Sequence, residues 1–398
     1  MKKLFCFLIM CLCLISGCSC SKDEISRTSI VSSQVKAYIN KDDDSYIYVD
    51  PFGTYISLVG YNEKKVYALE NEFKDLVIKY HSLLDRNYYY KDSDGNLINN
   101  IKVINDSYGS GNSVSVDDII IEILKEGIKY TKLSNGKFNI FSGTITDVWD
   151  GRFDYFNPLY RVDPSEEEVN NAMKCVLKYD KIDEFFIIDE ISKTITFNKF
   201  DGCDSGASIT LGALAKSYFL DKISELDNFK KMGAGIYDAG QSSIIIKGKN
   251  PTRSSGKFLV AVKDSLNGGN AVQLKIDSDS SISTSSGDNK GYINSDGIRR
   301  IHILDATSGY SSTNLLAVTV IGSKAMIMDI VTTSVMAMSD DNEIKAYLTK
   351  LKENDIDLKI LLQKEENNNL KIYANESMKN SLGTIYVSVS VEDFNYGA

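Results

Sequence analysis

Residues 206–217 read GASITLGALAKS and join a run typical of a β-strand to a run typical of a helix. The stretch resembles a phosphate-binding loop because it ends in a lysine, Lys216, and a serine. However, Ala215 stands where such a loop needs a glycine before the lysine. What remains is a strand-to-helix junction with Gly212 and Ala213 close to the helix start. Free backbone N–H groups at such a junction can receive a phosphate, and a simple helix cap is the alternative.

Outward from this junction, the chain mixes short strand-like runs with separate helices instead of repeating a strand–helix–strand unit. This mixture favours an α+β fold in one large domain. The predicted helices lie at about 69–84, 115–132, 211–231, 323–338 and 342–351, with a further helix that has Asp163 as its N-cap. The predicted strands lie at 46–50, 53–60, 185–188, 194–197, 244–247, 258–262, 300–304, 317–321, 359–362 and 385–391.

The composition is that of a globular protein. The chain has 398 residues, of which 43% are hydrophobic and 25% are charged, and this excludes a mainly disordered or collagen-like chain. The 54 acidic and 45 basic residues give a formal net charge of −9. This charge argues against a broad nucleic-acid-binding face, so we expect no nucleic-acid partner.

The N-terminus predicts export and a membrane anchor. The two lysines at positions 2 and 3 are followed by an apolar run over 4–15. This run is short for a membrane span but typical of a signal-peptide core. Residues 14–18, LISGC, resemble the lipobox of bacterial lipoproteins, in which the signal is cut before the cysteine and the cysteine is acylated. We therefore expect a signal peptide over 1–17 and a lipid anchor on Cys18 that holds the protein on the outer side of the bacterial cell membrane. An ordinary secretory signal is the alternative.

The polar residues 18–44 predict a tether, which leaves 45–398 for the folded domain. Two of the seven cysteines, Cys175 and Cys203, lie in that domain without an obvious partner, so a disulfide-rich scaffold is excluded. The two histidines, His81 and His302, are too few for a histidine-rich zinc site. A Gly-x-Ser-x-Gly elbow is also absent from the sequence, so nucleophilic hydrolase schemes lack support.

The helix predicted at 323–338 carries an acid in apolar surroundings. Asp329 and Thr333 are four residues apart and therefore share one face of that helix. Both side chains offer hard oxygen ligands, which suit Mg²⁺ better than zinc. An aspartate among Met, Ile and Val is costly unless it is paired or bound to a metal. A metal site and a hydrogen-bonded buried aspartate are therefore the two open interpretations.

The segment over 299–309, RRIHILDATSG, predicts a strand that leads into a turn. This arrangement brings a histidine, an aspartate and a glycine together. A lone histidine in a strand is usually structural. With Asp305 in the following turn, His302 becomes a candidate for acid–base chemistry.

Together these segments resemble the ApbE family, the FAD:protein FMN transferases, over nearly all of residues 50–380. The order and spacing of the matches carry the resemblance. Residues 52–54 resemble the family's Met-Gly-Thr strand, 136–140 its Gly-Ala-Phe-Asp segment, 148–149 its Leu-Trp, 211–216 the centre of its Asp-Leu-Gly-Ala-Ile-Ala-Lys-Gly motif, 285–288 its Thr-Ser-Gly-Asp, 302–309 its His-Ile-Ile-Asp-Pro-x-Thr-Gly, and Asp329 with Thr333 its Asp-x-x-x-Thr.

The resemblance implies a T-fold-related α+β domain of mixed antiparallel sheets with flanking helices. It also implies that the protein binds FAD with Mg²⁺ and transfers the FMN half to a Thr or Ser hydroxyl, releasing AMP. The acceptor would be an exported protein with an Asp-x-x-Ser/Thr-Gly-Ala-Ser/Thr segment.

The resemblance further assigns roles to individual residues. Asp329, Thr333 and the backbone carbonyl of Ala213 would hold Mg²⁺. His302 would accept the proton of the acceptor hydroxyl, and Asp305 would order its loop. The FAD site would be lined by Phe52, Lys137, Phe138, Asn139, Thr210, Lys216 and Ile303.

The chain also departs from the family pattern, and these departures bear on FAD affinity more than on the metal site. Thr210 replaces the aspartate that opens the central motif, and Ser217 replaces the glycine that follows it. Leu84 lies about where many members carry a flavin-contacting tyrosine. Three alternatives stay open: an FAD pyrophosphate hydrolase that gives FMN and AMP, a non-catalytic flavin-binding lipoprotein, and a solute-binding lipoprotein that shares only the anchor.

Overall fold

Runs of short strands and separate helices make up the chain in this computed structural model, which describes residues 27–43, 45–288, 290–386 and 391–396. The strands are β1 Thr28–Val31, β2 Val35–Tyr38, β3 Tyr46–Val49, β4 Ile56–Gly60, β5 Ser113–Ser115, β6 Phe186–Asp189, β7 Thr194–Phe197, β8 Gly235–Ala239, β9 Ser243–Lys247, β10 Phe258–Lys263, β11 Asn270–Ile276, β12 Ser280–Ser286, β13 Gly291–Ile293, β14 Arg299–Ile301, β15 Ala317–Gly322, β16 Lys359–Glu366, β17 Asn369–Ala374, β18 Leu382–Ile385 and β19 Val391–Asp393. The helices are α1 Glu63–Tyr67, α2 Glu70–Leu84, α3 Ile101–Asp106, α4 Asp118–Leu133, α5 Gly143–Trp149, α6 Glu166–Met173, α7 Ile182–Phe185, α8 Ala215–Glu225, α9 Asp227–Lys230, α10 Ala325–Ala337, α11 Asp341–Glu353 and α12 Glu376–Lys379.

A nine-stranded sheet with the order β1-β4-β8-β9-β12-β15-β16-β17-β19 organises the fold. Its strands pair antiparallel except for β17 and β19, which run parallel. Smaller antiparallel sheets, including β10-β11-β18 and β5-β7-β6, surround it. This arrangement confirms the predicted α+β class. No helix within the described ranges is both long and apolar enough to cross a membrane.

The large sheet separates two apolar layers because successive side chains of a strand point to opposite faces. Val318 and Val320 of β15 belong to the same core as α10. Ile321 instead belongs to a core shared with the three-stranded sheet of β10, β11 and β18. Helices α8 and α10 pack against each other, and α10 also packs on β12 and β15. The polar residues of these two helices therefore meet between helix and sheet.

Helix α10 is buried almost all round: eleven of its thirteen residues are buried. A helix without a polar face requires an environment that covers it on every side. The predicted helix at 323–338 is thus confirmed, and Asp329 lies inside it.

The N-terminal end of the described chain differs from the expectation. Thr28–Val31 pairs with β4 at the edge of the large sheet, and Val35–Tyr38 pairs with β3. The tether predicted for 18–44 is therefore wrong from Thr28 onward. A strand that buries only every second residue can be polar at the others, so its composition imitates a linker. The predicted signal peptide, Cys18 and the start of the tether lie outside the described residues.

Two helix boundaries are also corrected. The N-cap of α6 is Ser165, which forms a capping box with Glu168, whereas Asp163 binds Arg300 instead. The helix predicted over 211–231 is two helices, because Leu226 between α8 and α9 has an extended backbone with ψ of 138°.

The two cysteines of the folded domain form a disulfide, Cys175–Cys203, and both are buried. The expectation that neither had a partner is therefore wrong. The residues are 28 positions apart, and only the folded chain brings them together.

Candidate active site

The centre of the candidate site is an ion pair between α8 and α10. Asp329 is 3% exposed, and its Oδ2 lies 2.6 Å from Nζ of Lys216. Its Oδ1 accepts a hydrogen bond of 3.2 Å from Oγ of Ser283 on β12. Since a buried carboxylate needs partners to remain charged, these contacts keep a negative charge available at the junction of the two helices.

The other predicted metal ligands lie on the same two helices. Thr333 is half-buried one turn after Asp329, and Ala213 lies in the turn that precedes α8. The backbone of Leu214 is non-helical (φ −141°, ψ −22°), which separates Ala213 from the helix. Among the described residues, no backbone N–H donates to the Ala213 carbonyl.

These donors suit a hard cation. A carboxylate, a hydroxyl and a carbonyl without a backbone partner are oxygen ligands of the kind that Mg²⁺ prefers. The described residues, those of this site included, contain no group of three or more His, Cys, Asp or Glu side chains that could hold a metal ion. The donor set therefore fits Mg²⁺ better than a transition metal.

His302 directly follows β14. Its backbone N–H donates to the carbonyl of Lys290 at 3.1 Å, and its Nδ1 lies 3.3 Å from the same oxygen. Although the residue is exposed, the protein atoms around its ring, followed by the positive charge of Lys290, lower the pKa of His302 to about 4. Because solvent also reaches the ring, it weakens the effect of the surrounding protein atoms, but a lowered pKa leaves the imidazole neutral at pH 7. The positive charge of Lys216, one partner of the central ion pair, also lowers the pKa of His302.

Asp305 makes the side-chain contacts of the loop after His302. One carboxylate oxygen accepts from the backbone N–H and the hydroxyl of Thr307, at 2.8 and 2.6 Å. The other lies 2.8 Å from Nζ of Lys137, which also contacts Glu343 at 3.2 Å. Burial alone would lower the pKa of Lys137, but its hydrogen bonds to these two acids outweigh burial and raise it. A cavity of about 460 Å³ adjoins the loop and is lined by Lys137, Asp305, Thr307, Ser308, Ser311, Ser312, Thr313 and Ser339.

Phe52 lies in a tight turn with an uncommon backbone. Its φ is 55°, which costs a non-glycine residue roughly 1 kcal/mol or more. Two contacts hold it there: its ring stacks on Phe219 at a centroid distance of 5.6 Å, and its N–H donates to Nδ1 of His81 at 3.2 Å. Because Nδ1 accepts this hydrogen bond, His81 is neutral and carries its proton on Nε2. This Nε2 lies 2.9 Å from the hydroxyl oxygen of Tyr90.

Three other residues predicted at the FAD site have buried side chains. Phe138 and Ile303 are part of the large core beside α10. The Asn139 side-chain amide donates to the Leu177 carbonyl at 2.9 Å, and its oxygen accepts from the Phe141 N–H. Thr210 is half-buried, and its N–H donates to the Ile140 carbonyl. Contacts of these residues with FAD stay predictions.

The structure adds partners that the sequence analysis missed. Ser283 binds Asp329, Glu343 binds Lys137, and Lys290 binds His302. Ser283 and Glu343 come from a strand and a helix far along the chain from their partners, whereas Lys290 faces His302 just beyond the β13–β14 hairpin pairing. Motif spacing carries no signal for such contacts.

Comparison with known proteins identifies related sequences. The sequence profile described as the ApbE family matches residues 52–357. An FAD:protein FMN transferase of Vibrio cholerae serotype O1 is 24% identical over 256 residues, which cover 64% of this chain and 69% of that protein. An FAD:protein FMN transferase of Haemophilus influenzae is 23% identical over 293 residues, covering 73% and 77%.

The fold agrees as well. A crystal structure of the ApbE protein from Thermotoga maritima superposes with a TM-score of 0.65 at 20% identity, covering 88% of this chain and 99% of that one. Since the profile spans well over half of the sequence, the chain belongs to the ApbE family.

Proposed function

We propose that this protein is an Mg²⁺-dependent enzyme that transfers the FMN moiety of FAD to a Thr or Ser hydroxyl of an exported acceptor protein. The hydroxyl oxygen would attack the phosphorus on the flavin side of the diphosphate. One P–O bond forms, the P–O bond to AMP breaks, and AMP leaves. Membership of the ApbE family and the names of the curated relatives support this reaction class.

The observation that carries the proposal is the buried Asp329 beside oxygen donors. Asp329, Thr333 and the Ala213 carbonyl would hold Mg²⁺, with Lys216 next to them. When bound, Mg²⁺ neutralises negative charge that develops on the diphosphate oxygens. Lys216 provides a second positive charge at the same place. At the start of α8, the backbone N–H groups of Lys216 and Ser217 have no backbone acceptor among the described residues and would be available to a phosphate.

His302 would act as the general base. With its Nδ1–H donating to the Lys290 carbonyl, Nε2 carries the lone pair that accepts the acceptor's hydroxyl proton. Its lowered pKa keeps this lone pair available at neutral pH. The contacts of Asp305 with Lys137 and Thr307 hold the loop that follows the histidine. The exposure of His302 would give a large acceptor access to the base.

We also propose that the protein is exported and anchored through acyl chains on Cys18. The sequence of residues 1–18 supports this placement. The Cys175–Cys203 disulfide is consistent with it, because disulfides persist mainly in oxidising compartments outside the bacterial cytoplasm.

The test is a transfer assay with purified protein, FAD, Mg²⁺ and an acceptor that contains an Asp-x-x-Ser-Gly-Ala-Ser segment. We expect a flavin-fluorescent acceptor band and one AMP released per flavin transferred. Asp329→Asn should lower the rate by about 10²-fold or more, because it removes the charge at the metal site. Asp183→Asn is the matched control, since Asp183 is exposed and pairs with Lys132.

The products separate the remaining interpretations. Free FMN and AMP without a labelled acceptor would show hydrolysis, with water in place of the hydroxyl. A bound flavin spectrum without turnover would show a non-catalytic binder. An Asp329→Asn variant as fast as the control would contradict the proposed metal site.

A further inference from the structure

Asp221, on α8, binds the start of α10 across the helix interface. It is 7% exposed, and its two carboxylate oxygens accept from the backbone N–H groups of Ala325 and Met326, at 2.8 and 2.9 Å. The residue at the N-cap of α10, Lys324, makes no side-chain capping hydrogen bond. The cap of α10 is therefore supplied by another helix.

We infer that Asp221 is a positioning residue that fixes α10 against α8 and thereby sets the distance between the two halves of the metal site. This inference rests on the proposed function. Ala213 and Lys216 belong to the α8 side of the site, and Asp329 and Thr333 belong to the α10 side. Asp221 and the Lys216–Asp329 ion pair join the same two helices at two points.

The contact of Asp221 with α10 is close enough to the Lys216–Asp329 ion pair to affect the position of Asp329. Ala325 precedes Asp329 by one helical turn, about 6 Å along the axis. A helix transmits a displacement of its first turn to the next turn because its backbone is hydrogen-bonded throughout. A shift of about 1 Å at a metal or reacting group is enough to weaken its function strongly.

The negative charge of Asp221 also favours its contact with the start of α10. The N-terminus of α10 carries the positive end of the helix dipole, and the carboxylate of Asp221 faces it. Burial raises the pKa of Asp221 to about 6, against the effect of these two backbone donors, so the group is mainly ionised at pH 7.5. Lys324 and Glu225 form an ion pair at the rim of this contact.

The experiment measures Mg²⁺ binding to the FAD-free protein by calorimetry and the free energy of unfolding of the same samples. Asp221→Ala should weaken Mg²⁺ binding by about tenfold or more. Asp221→Asn should lie between Asp221→Ala and wild type, because its amide keeps one acceptor oxygen. It also serves as the test variant should Asp221→Ala fail to fold. Asp117→Ala is the control, since Asp117 caps α4 through the Ile119 N–H at 2.9 Å.

A weakened Mg²⁺ affinity in the Asp221 variants, with wild-type affinity in Asp117→Ala, would support the inference. Lower stability with unchanged Mg²⁺ affinity would overturn it and reduce Asp221 to a structural cap. If wild type itself binds no Mg²⁺ without FAD, the two helices do not form the metal site by themselves and this inference is overturned, whereas the proposed function fails only if the transfer assay fails as well. The second and third outcomes are distinguishable because only the third affects wild type.

Discussion

Removal of the disulfide should destabilise the protein by an amount that follows from the length of the loop it closes. Cys175 and Cys203 are buried and separated by 28 positions. We consider the replacement of both by serine, which removes the cross-link and leaves the rest of the sequence unchanged.

The magnitude comes from the conformational freedom that the cross-link removes from the unfolded chain. For a loop of this length, the entropy change of about −12 cal/mol/K corresponds to about 3.6 kcal/mol at 25 °C. In a protein of this size, that loss lowers the melting temperature by about 5 °C. The serine hydroxyls add a smaller cost, because both positions are buried.

The assay is urea unfolding of wild type, Cys175→Ser, Cys203→Ser and the double variant under oxidising conditions. Each single variant should lose nearly as much free energy of unfolding as the double variant, since either one breaks the same cross-link. Reduced wild type should match them. A double variant within about 1 kcal/mol of oxidised wild type would refute this reasoning.

Two further predictions concern the active site. Because the pKa of His302 is lowered, the acid limb of the transfer rate should lie well below pH 6.5 in single-turnover measurements, and His302→Ala should slow transfer while FAD binding stays nearly intact. A limb centred near pH 6.5 would contradict the lowered pKa of His302, and transfer as fast in His302→Ala as in wild type would contradict its assignment as the base. Gly212→Ala should keep wild-type stability, since a Cβ there meets no atom closer than 3.9 Å, yet weaken FAD binding where the backbone approaches the phosphates. Gly143→Ala is the contrasting variant: it places a Cβ 2.7 Å from a backbone carbonyl oxygen and should cost about 2 kcal/mol of folding stability. Equal FAD affinity in Gly212→Ala and wild type would count against the phosphate contact.

Features that repeat along the chain were predictable from sequence. The apolar pattern of the helix around Asp329 predicted its burial, and the spacing to Thr333 placed both residues on one face. The strand over Thr194–Phe197 followed from its alternating pattern. Each of these depends on neighbouring residues, whose relative positions the backbone geometry already fixes.

Contacts between distant segments were not predictable in this way. Lys216 is 113 positions from Asp329, and Asp221 is 104 positions from Ala325. Such pairs depend on the order and register of the strands that carry the helices. The same reason explains the missed disulfide and the missed edge strand at Thr28, because each becomes apparent only through its partner in the folded chain.

The edge strand at Thr28 determines where a lipid anchor on Cys18, as proposed, would join the folded domain. If Cys18 is acylated as proposed, only about ten residues link the acyl chains to the first paired residue of the large sheet, and fully extended they reach roughly 35 Å. That distance is similar to the thickness of the bilayer core itself. The folded domain would therefore stay next to the lipid headgroups, which favours acceptors that are themselves tethered to the same surface.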